Sequence, residues 1–259
     1  MAEEGARTEI DAVSYAEAFS AYRSNDVARN ELWAKRFAEL GNLSKHTSVI
    51  DIGCGVGRYA IPLSKICTNR LMAVDRCPAM LDRFRKHAAA NGSIRFTQCD
   101  ATALPYCDGV FDAAVMSMSL HFIDHPAAAL KEASRLLNQG GRLLIKTCTR
   151  EHVETMDAIE FRYFPSRQID LQRCLPLKEL ESLLKESGFG VQAVEVFEEV
   201  TSKSGAQWLE WFSAKATSTL WLIDSYRYAM GMVDARRELA HVEEVVERVP
   251  ITVLVGRRK

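Results

Sequence analysis

The feature that most constrains this chain is an apolar, strand-like run that ends in three glycines at alternate positions, Val49-Ile-Asp-Ile-Gly-Cys-Gly-Val-Gly-Arg58. Glycine accepts left-handed backbone and lets a ligand approach where a Cβ would collide. A strand, a glycine loop and a helix start together put backbone N–H groups and the positive end of a helix dipole at the carboxyl edge of a sheet. Glycines also close tight turns for purely steric reasons, so the loop alone does not name a ligand.

Its surroundings set the fold class. The strand-like runs SVIDI (48–52), RLMAVD (70–75), SIRFTQC (93–99), VFDAAVMS (110–117) and GRLLIKTC (141–148) alternate with helical patterns, notably 78–90 and 126–137. Strands that are apolar almost throughout and separated by helices indicate a parallel sheet covered on both faces. Asn138-Gln-Gly-Gly141 reads as a helix exit into the fifth strand. Residues 11–40 read as amphipathic helix, with Tyr15, Phe19, Tyr22, Leu32, Trp33, Phe37 and Leu40 at mostly helical spacings and a stop at Gly41-Asn42. Pro62 requires the first crossover helix to start late or to kink.

Beyond the fifth strand the rhythm changes. Residues 149–175 read as loop with some helix, 176–187 as a helix with Gly188 just past its end, and 190–196 as a strand. Residues 198–249 read as a mostly helical insertion, with Trp208, Trp211, Phe212, Leu220, Ile223 and Tyr226 on one face. The segment ITVLVGRR is the final strand.

Three features narrow the ligand. The spacing Gly53-x-Gly55-x-Gly57 is not the G-x-G-x-x-G of a dinucleotide pyrophosphate site. Asp51, two residues before the first glycine, would repel a pyrophosphate but suits an ammonium group. Asp75 ends the second strand, where a carboxylate accepts from both ribose hydroxyls. One carboxylate for an amine and one for a ribose describe S-adenosylmethionine (SAM) better than NAD.

With VIDIGCGVGR come AVDRCPAML, FTQCDATALPYCDGVFDAAV and LLNQGGRLLI, all in order. Together they resemble the class I SAM-dependent methyltransferases, over roughly residues 45–148, and most closely the small-molecule type that includes ubiquinone and menaquinone methyltransferases. The resemblance implies an α/β, Rossmann-like, seven-stranded and mostly parallel sheet with helices on both faces and the last strand antiparallel. The expected single domain comprises an N-terminal helical lid (1–44), a SAM-binding core (45–148) and the remaining sheet with an acceptor-side loop (149–197). A helical cap insertion (198–249) and the final strand (250–259) complete it.

The resemblance also assigns roles. Asp51 and the backbone of Gly53, Cys54 and Gly55 would hold the methionine amino group. Asp75 would take the ribose, with Arg76 and Met80 beside the adenine. Asp100 and the Ala101 N–H would meet the adenine edge, and Met116 and Ser117 would line the methionine and sulfonium. Arg58 and Tyr59 read equally well as cofactor neighbours or as an exposed arginine and a core tyrosine. The product would be S-adenosylhomocysteine.

The acceptor is less defined. There is no N/D-P-P-aromatic motif after the fourth strand, where the chain reads Ser117-Met-Ser-Leu-His-Phe, and no Pro-Cys nucleophile. Met116-Ser117 and Thr147-Cys148 offer no hard-oxygen set, so no metal is expected. A SAM methyl is already activated, so alignment matters most, and a base is needed only for a protonated acceptor. His121 is the best-placed imidazole, against the alternative of a packing histidine. Glu151 and His152 follow the fifth strand, and Tyr163 is either pocket or core. Tyr15, Tyr22 and Arg23 would close the lid, with Arg23 on the cofactor carboxylate. Trp208, Trp211, Phe212, Trp221, Tyr226 and Met230 would roof the acceptor or else serve as core or dimer contact; as a roof they imply apolar or aromatic bulk.

Composition closes other routes. Lys plus Arg total 33 against 34 Asp plus Glu, a net charge of −1, with no footprint for nucleic acid or an anionic membrane. Seven scattered cysteines without a C-x-x-C pair read as reduced thiols rather than a disulfide or zinc framework. The opening MAEEGARTEID is polar and acidic, and no apolar run of about 18 residues spans a bilayer, so a cytoplasmic protein is expected. The alternatives left open are an RNA or protein methyltransferase, a dehydrogenase and a non-catalytic SAM-binding or partner-binding module. Monomer and homodimer are equally open.

Overall fold

The computed structural model describes residues 11–23, 25–88 and 94–259. Seven strands form one sheet: β1 Ser48–Ile52, β2 Arg70–Asp75, β3 Ile94–Gln98, β4 Phe111–Ser117, β5 Leu137–Thr147, β6 Phe189–Lys203 and β7 Val245–Arg258. Their order is β3-β2-β1-β4-β5-β7-β6, and only β7 runs antiparallel to its neighbours. The chain reverses direction across the sheet between β1 and β4, and such a switch point opens a crevice at the strands' carboxyl ends.

The pleat explains the two cores. Val49 joins Trp33 and Phe37 of α2 (Val27–Gly41), Leu63 of α3 (Ala60–Ile66) and Phe84 of α4 (Pro78–His87) on one face. Ile50 and Ile52 point the other way, to Leu130 and Leu136 of α5 (Pro126–Leu136) and Leu180 and Leu184 of α8 (Leu177–Glu186). Because β1 is buried along its whole length, polar groups at its end are carried into a dry environment.

Several expectations need correction. The N-terminal helix is two helices, α1 (Ala12–Arg23) and α2, because the Asp26 side chain accepts from Arg29 N at 3.0 Å and starts a new helix. Pro62 falls in the first turn of α3, so that helix starts late. Asn138-Gln-Gly-Gly141 lies inside β5, where the β4–β5 register slips and Asn138 Nδ2 donates to Asp112 Oδ1 at 2.6 Å. Residues 149–175 are mostly helical: α6 (Arg150–Thr155), a 3-10 turn (Ile159–Arg162) and α7 (Ser166–Arg173). Ala89, Ala90 and Ser93, predicted at element ends, lie outside the described residues, as do Ser24 and the first ten residues.

The largest difference is in the last two strands. β6 and β7 pair continuously from Phe189 opposite Arg258 to Lys203 opposite Val245. The helical insertion is therefore confined to 204–244, with α9 (Gly205–Ser213), a 3-10 turn (Thr219–Leu222) and α10 (Ser225–Leu239). Pro250 argues against a strand in sequence. It is accommodated because β5 pairs only with residues 252–257 of β7, which leaves Pro250 a single neighbouring strand. The insertion has its own core of Trp208, Phe212, Leu220, Met232 and Ala235, closed by Ile159 and Phe164.

Candidate active site

A cavity of about 810 Å³ opens at the carboxyl ends of β1, β2 and β4, between α1 and the 204–244 insertion. That is near the top of the roughly 300–1,000 Å³ range for small-molecule sites. The glycine loop forms one wall. Gly53 N and Cys54 N both donate to Val74 O, at 2.8 and 3.0 Å, which pins the loop to β2. A Cβ on Gly57 (φ +82°) would lie 2.1 Å from the Phe84 ring, so that glycine serves packing. Gly55 (φ +54°) would meet nothing within 4 Å, and its backbone borders the cavity.

The β2 carboxylate organises this side. Asp75 Oδ2 accepts from Gly55 N at 2.8 Å and Oδ1 from Cys77 N at 2.9 Å. Burial pushes its carboxyl up from the ordinary range despite those bonds. Asp51 is 2% exposed and is pushed up to about 7, first by burial and then by the Asp75 charge. Cys54, Arg76, Met80, Ala101 and Asp100 also border the cavity. Asp100 is exposed, and the Thr102 hydroxyl and N–H, donating to its Oδ1 at 2.7 and 2.8 Å, hold its carboxyl low. Ser117 borders the cavity with its Oγ buried and without a hydrogen-bond partner. Met118 follows with φ +52°, a left-handed conformation that non-glycine residues adopt at a cost and that clusters at functional sites. Of the predicted cofactor residues, Asp51 and Met116 are not part of the cavity wall. Met116 is fully buried in the sheet core, because it alternates with Ser117 on β4.

Helix α1 and the insertion meet over this wall. Tyr15, Tyr22 and Arg23 all border the cavity. Tyr22 Oη donates to Glu210 Oε1 at 2.8 Å, and its ring meets Trp211 edge-on at 6.2 Å. The Arg23 guanidinium lies 5.6 Å from the Trp211 ring centroid. Beneath them, Arg58 Nε donates to Asn30 Oδ1 at 2.7 Å. Lys146, 1% exposed, donates to Glu199 at 2.7 Å and to Tyr59 Oη at 2.9 Å, and its ammonium lies 4.2 Å from the Trp33 ring centroid. Burial would raise the Glu199 carboxyl, but Lys146, Arg58 and Arg23 outweigh it and hold it at about 2.

The opposite wall is assembled from distant segments. His121, in the 3-10 turn after β4, borders the cavity with Nδ1 buried and without a partner. Burial, then the charges of Arg173 and Arg23, push its pKa well below the ordinary value, so the imidazole is neutral. Glu160 is pushed up to about 7 by burial, while Thr217 Oγ1 donates to it at 2.5 Å. Trp208, Trp211 and Phe212 supply apolar surface. The remaining aromatic predictions need correction. Trp221 turns to Tyr15, at 6.0 Å between centroids, and does not border the cavity. Tyr226 is 74% exposed and Met230 46%, because α10 carries them on its outer face. Tyr163 packs on Phe212 within the insertion's core and is not in the wall. Glu151 is occupied in accepting from Leu177 N at 3.2 Å, and His152 lies beside Thr252 at 3.5 Å; neither borders the cavity.

Sequence reading missed Lys146, Glu199, Glu160, Asp170 and Arg173. One signal was available: a lysine inside an otherwise apolar parallel strand must have a buried partner. All seven cysteines are free. Among the described residues, no group of three or more His, Cys, Asp or Glu is arranged to hold a metal ion, and no helix is long and apolar enough to cross a membrane.

Residues 50–145 match the family model described as a methyltransferase domain. A ubiquinone/menaquinone biosynthesis C-methyltransferase, UbiE of Pseudomonas putida, is 32% identical over 154 residues, or 54% of this chain and 60% of the relative. The chain thus matches less than two thirds of that relative's length. Among solved structures, the [4+2]-cyclase SpnF superposes with a TM-score of 0.61 at 20% identity, covering 88% of this chain and 81% of the other. The geranyl diphosphate C-methyltransferase of Streptomyces coelicolor, in complex with Mg2+, geranyl diphosphate and S-adenosyl-L-homocysteine, gives 0.58 at 16% identity, covering 88% and 77%. At these identities the structural likenesses establish the fold.

Proposed function

We propose that the chain is a class I SAM-dependent methyltransferase that transfers a methyl group from SAM to a small-molecule acceptor, a reading supported by the match of residues 50–145 to a methyltransferase domain. The observation that carries this is the cradle formed by Gly55 and Asp75. A glycine with open space where its Cβ would be stands beside a β2-terminal carboxylate at a sheet switch point. The orphaned Ser117 Oγ in the same wall fits a polar ligand there.

Gly55, Asp75, Arg76, Met80, Asp100 and Ala101 would hold the nucleoside end. Asp51, Ser117, Arg58 and Arg23 would hold the amino-acid end, with Asp51 acting from behind the loop. Bound SAM supplies an electrophilic methyl group on a sulfonium. The residues of the chain then have three tasks. Tyr15 closes against Trp221, and Tyr22 and Arg23 close against Trp211, to exclude water. Trp208, Trp211 and Phe212 orient the acceptor so that it meets the methyl in line. His121, without a partner at Nδ1, is the imidazole placed to accept a hydrogen bond from the acceptor, while the burial and arginine charges that keep it neutral make it a weak base. The reading as one domain, with 204–244 as its cap, belongs to this proposal, as does a cytoplasmic location.

The relatives' names support the small-molecule class: one is a C-methyltransferase of ubiquinone/menaquinone biosynthesis and another is in complex with geranyl diphosphate. A net charge of −1 argues against an RNA substrate. The cyclase neighbour has this fold under a name other than methyltransferase, so turnover and binding must be measured separately. Heat denaturation with S-adenosylhomocysteine (SAH) should raise the midpoint, and NAD should not. Labelled methyl from SAM should enter the small-molecule fraction of a cell extract and be lost with Asp75→Ala. Stabilisation by NAD alone, or label only in RNA or protein, would refute the reading.

A further inference from the structure

The cavity wall opposite the glycine loop holds an arginine whose bonding is half complete. Arg173, at the end of α7, is fixed by three neighbours. Its Nε donates to Asp170 Oδ1 at 2.8 Å, and its Nη2 donates to Ser218 Oγ at 2.9 Å and Thr219 Oγ1 at 2.6 Å. Its guanidinium lies 5.4 Å from the centroid of Phe122, whose ring is 4.3 Å from that of His121. A guanidinium carries five N–H donors. Three are committed to α7 and the insertion, whereas Nη1 is buried without a partner. His121 Nδ1, in the same wall, is also buried and unpartnered.

Two orphaned polar atoms beside one aromatic ring are unusual in a folded protein, and one is a permanently charged donor. Asp170, Ser218 and Thr219 hold the guanidinium plane in place, so Nη1 is preorganised without a ligand. Trp208, Trp211 and Phe212 give the same cavity an apolar surface. Asp170 also lies 2.7 Å from Arg173 Nη2, and Glu160 in the same wall is pushed up to about 7 by burial.

We propose that the methyl acceptor carries an ionised oxygen, a carboxylate or a phenolate, on an apolar or aromatic body, and that Arg173 Nη1 is its specificity-determining partner. This rests on the methyltransferase reading. His121 sits beside that oxygen and accepts a hydrogen bond from the rest of the acceptor. The arrangement favours the anion over its neutral counterpart because a hydrogen bond from the guanidinium Nη1 to an ionised oxygen is stronger than one to a neutral acceptor, even with Asp170 paired to the other side of the guanidinium.

The test is calorimetric titration of the SAH-bound full chain with two anions and their neutral counterparts. Benzoate is paired with benzamide and 4-nitrophenolate with 4-nitroanisole, at about pH 8.5, where an ordinary histidine is neutral. At least one anion should bind about ten-fold more tightly than its counterpart, the difference expected of one charge-assisted hydrogen bond. Which anion it is separates carboxylate from phenolate acceptors. Arg173→Gln should abolish the preference while SAH affinity stays unchanged. Arg173→Lys, which keeps the charge and guards against a misfolded glutamine variant, should reduce the preference without reversing it. Equal binding of anion and neutral partner by the wild type, or an undiminished preference in either variant, overturns the proposal. SAH binding is measured first: its absence refutes the methyltransferase reading, whereas intact SAH binding without anion preference refutes only the acceptor assignment.

Discussion

The two walls of the cavity are built by different means. The glycine-loop wall is mostly backbone: Gly53 and Cys54 N–H on Val74, Gly55 N–H on Asp75, and strand ends that deliver carboxylates. The opposite wall is mostly side chain, assembled from residues as distant in sequence as His121, Glu160, Arg173 and Thr219. Backbone geometry at a sheet edge tolerates little variation, and it suits a ligand that never changes. Side chains on an insertion change one at a time, and they suit an acceptor that does. Between the walls lies the buried Lys146–Glu199 pair, which ties β5 to β6.

That tie should give the largest effect on stability. Lys146 is 1% exposed, and Lys146→Met would remove the cation nearest to the partly buried Glu199, leaving it only Arg58, Arg23 and Arg29, the last at 4.0 Å. Breaking a buried pair so that one charge is left alone costs about 3–5 kcal/mol, and the remaining arginines put this loss at the lower end of that range. The double variant Lys146→Met/Glu199→Gln should recover part of this in urea unfolding, since the carboxylate that lost its nearest cation is gone as well. Equal losses in the single and double variants would mean that the lysine acts through its packing on Trp33 instead.

Gly57→Ala should follow, on the backbone side. Its Cβ would fall 2.1 Å from a ring carbon of Phe84, which is 0% exposed and cannot move aside, and φ is +82°. Overpacking with a disfavoured φ should cost about 3 kcal/mol, visible as a lower urea midpoint. A comparable substitution in the cap, Trp211→Ala, should cost less because that ring is only partly buried and faces the cavity.

This contrast also explains what could be read from sequence. β1 and β2 were legible to the residue, because parallel strands are apolar throughout and the glycines mark where they stop. The positions of Asp51, Gly55 and Asp75 were legible for the same reason, since each holds a fixed place relative to a strand end. The 198–203 and 245–249 halves of the β6–β7 hairpin were not. There the strands leave β5 behind, one side of the pair is open to solvent, and glutamates and Pro250 are tolerated where a buried strand would exclude them. Arg173 and Glu160 were invisible because neither has a local motif. Their meaning comes from Ser218, Thr219 and Thr217, about 45 to 57 residues away, which only the folded insertion brings near.

Acidity offers a way to address each wall separately. Asp51 on one side and Glu160 on the other are both pushed up to about 7. A carboxyl raised in the folded state contributes stability that is present below its unfolded pKa and is lost as pH rises through the folded value. These two carboxyls should therefore each contribute a loss of stability between about pH 4 and 7, against the opposite contribution of His121, whose lowered pKa makes stability rise toward about pH 6.5. Asp51→Asn and Glu160→Gln should each remove part of that slope, on the order of 2 kcal/mol for Asp51 because its shift is shared with Asp75. SAH, whose ammonium would favour the charged Asp51, should flatten the Asp51 share and leave that of Glu160. Thermal midpoints across pH with and without SAH decide this, and an SAH effect that vanishes with Glu160→Gln would reverse the assignment of the two walls.

The smallest expected change in stability is also the sharpest test of the backbone wall. Gly55 differs from Gly57 in one respect: a Cβ there meets no atom within 4 Å. Gly55→Ala therefore costs only the left-handed φ of +54°, about 1 kcal/mol. The methyl would project where the proposed cofactor lies against the loop, so SAH affinity should fall at least about ten-fold, equivalent to 1.4 kcal/mol of binding. Gly57→Ala should show the opposite pattern, a large loss of stability with the surviving folded fraction still binding SAH. Urea unfolding and SAH titration on both variants separate the two. If Gly55→Ala bound SAH as the wild type does, the loop would be a steric turn and nothing more, and the cradle would have to be sought elsewhere in the cavity.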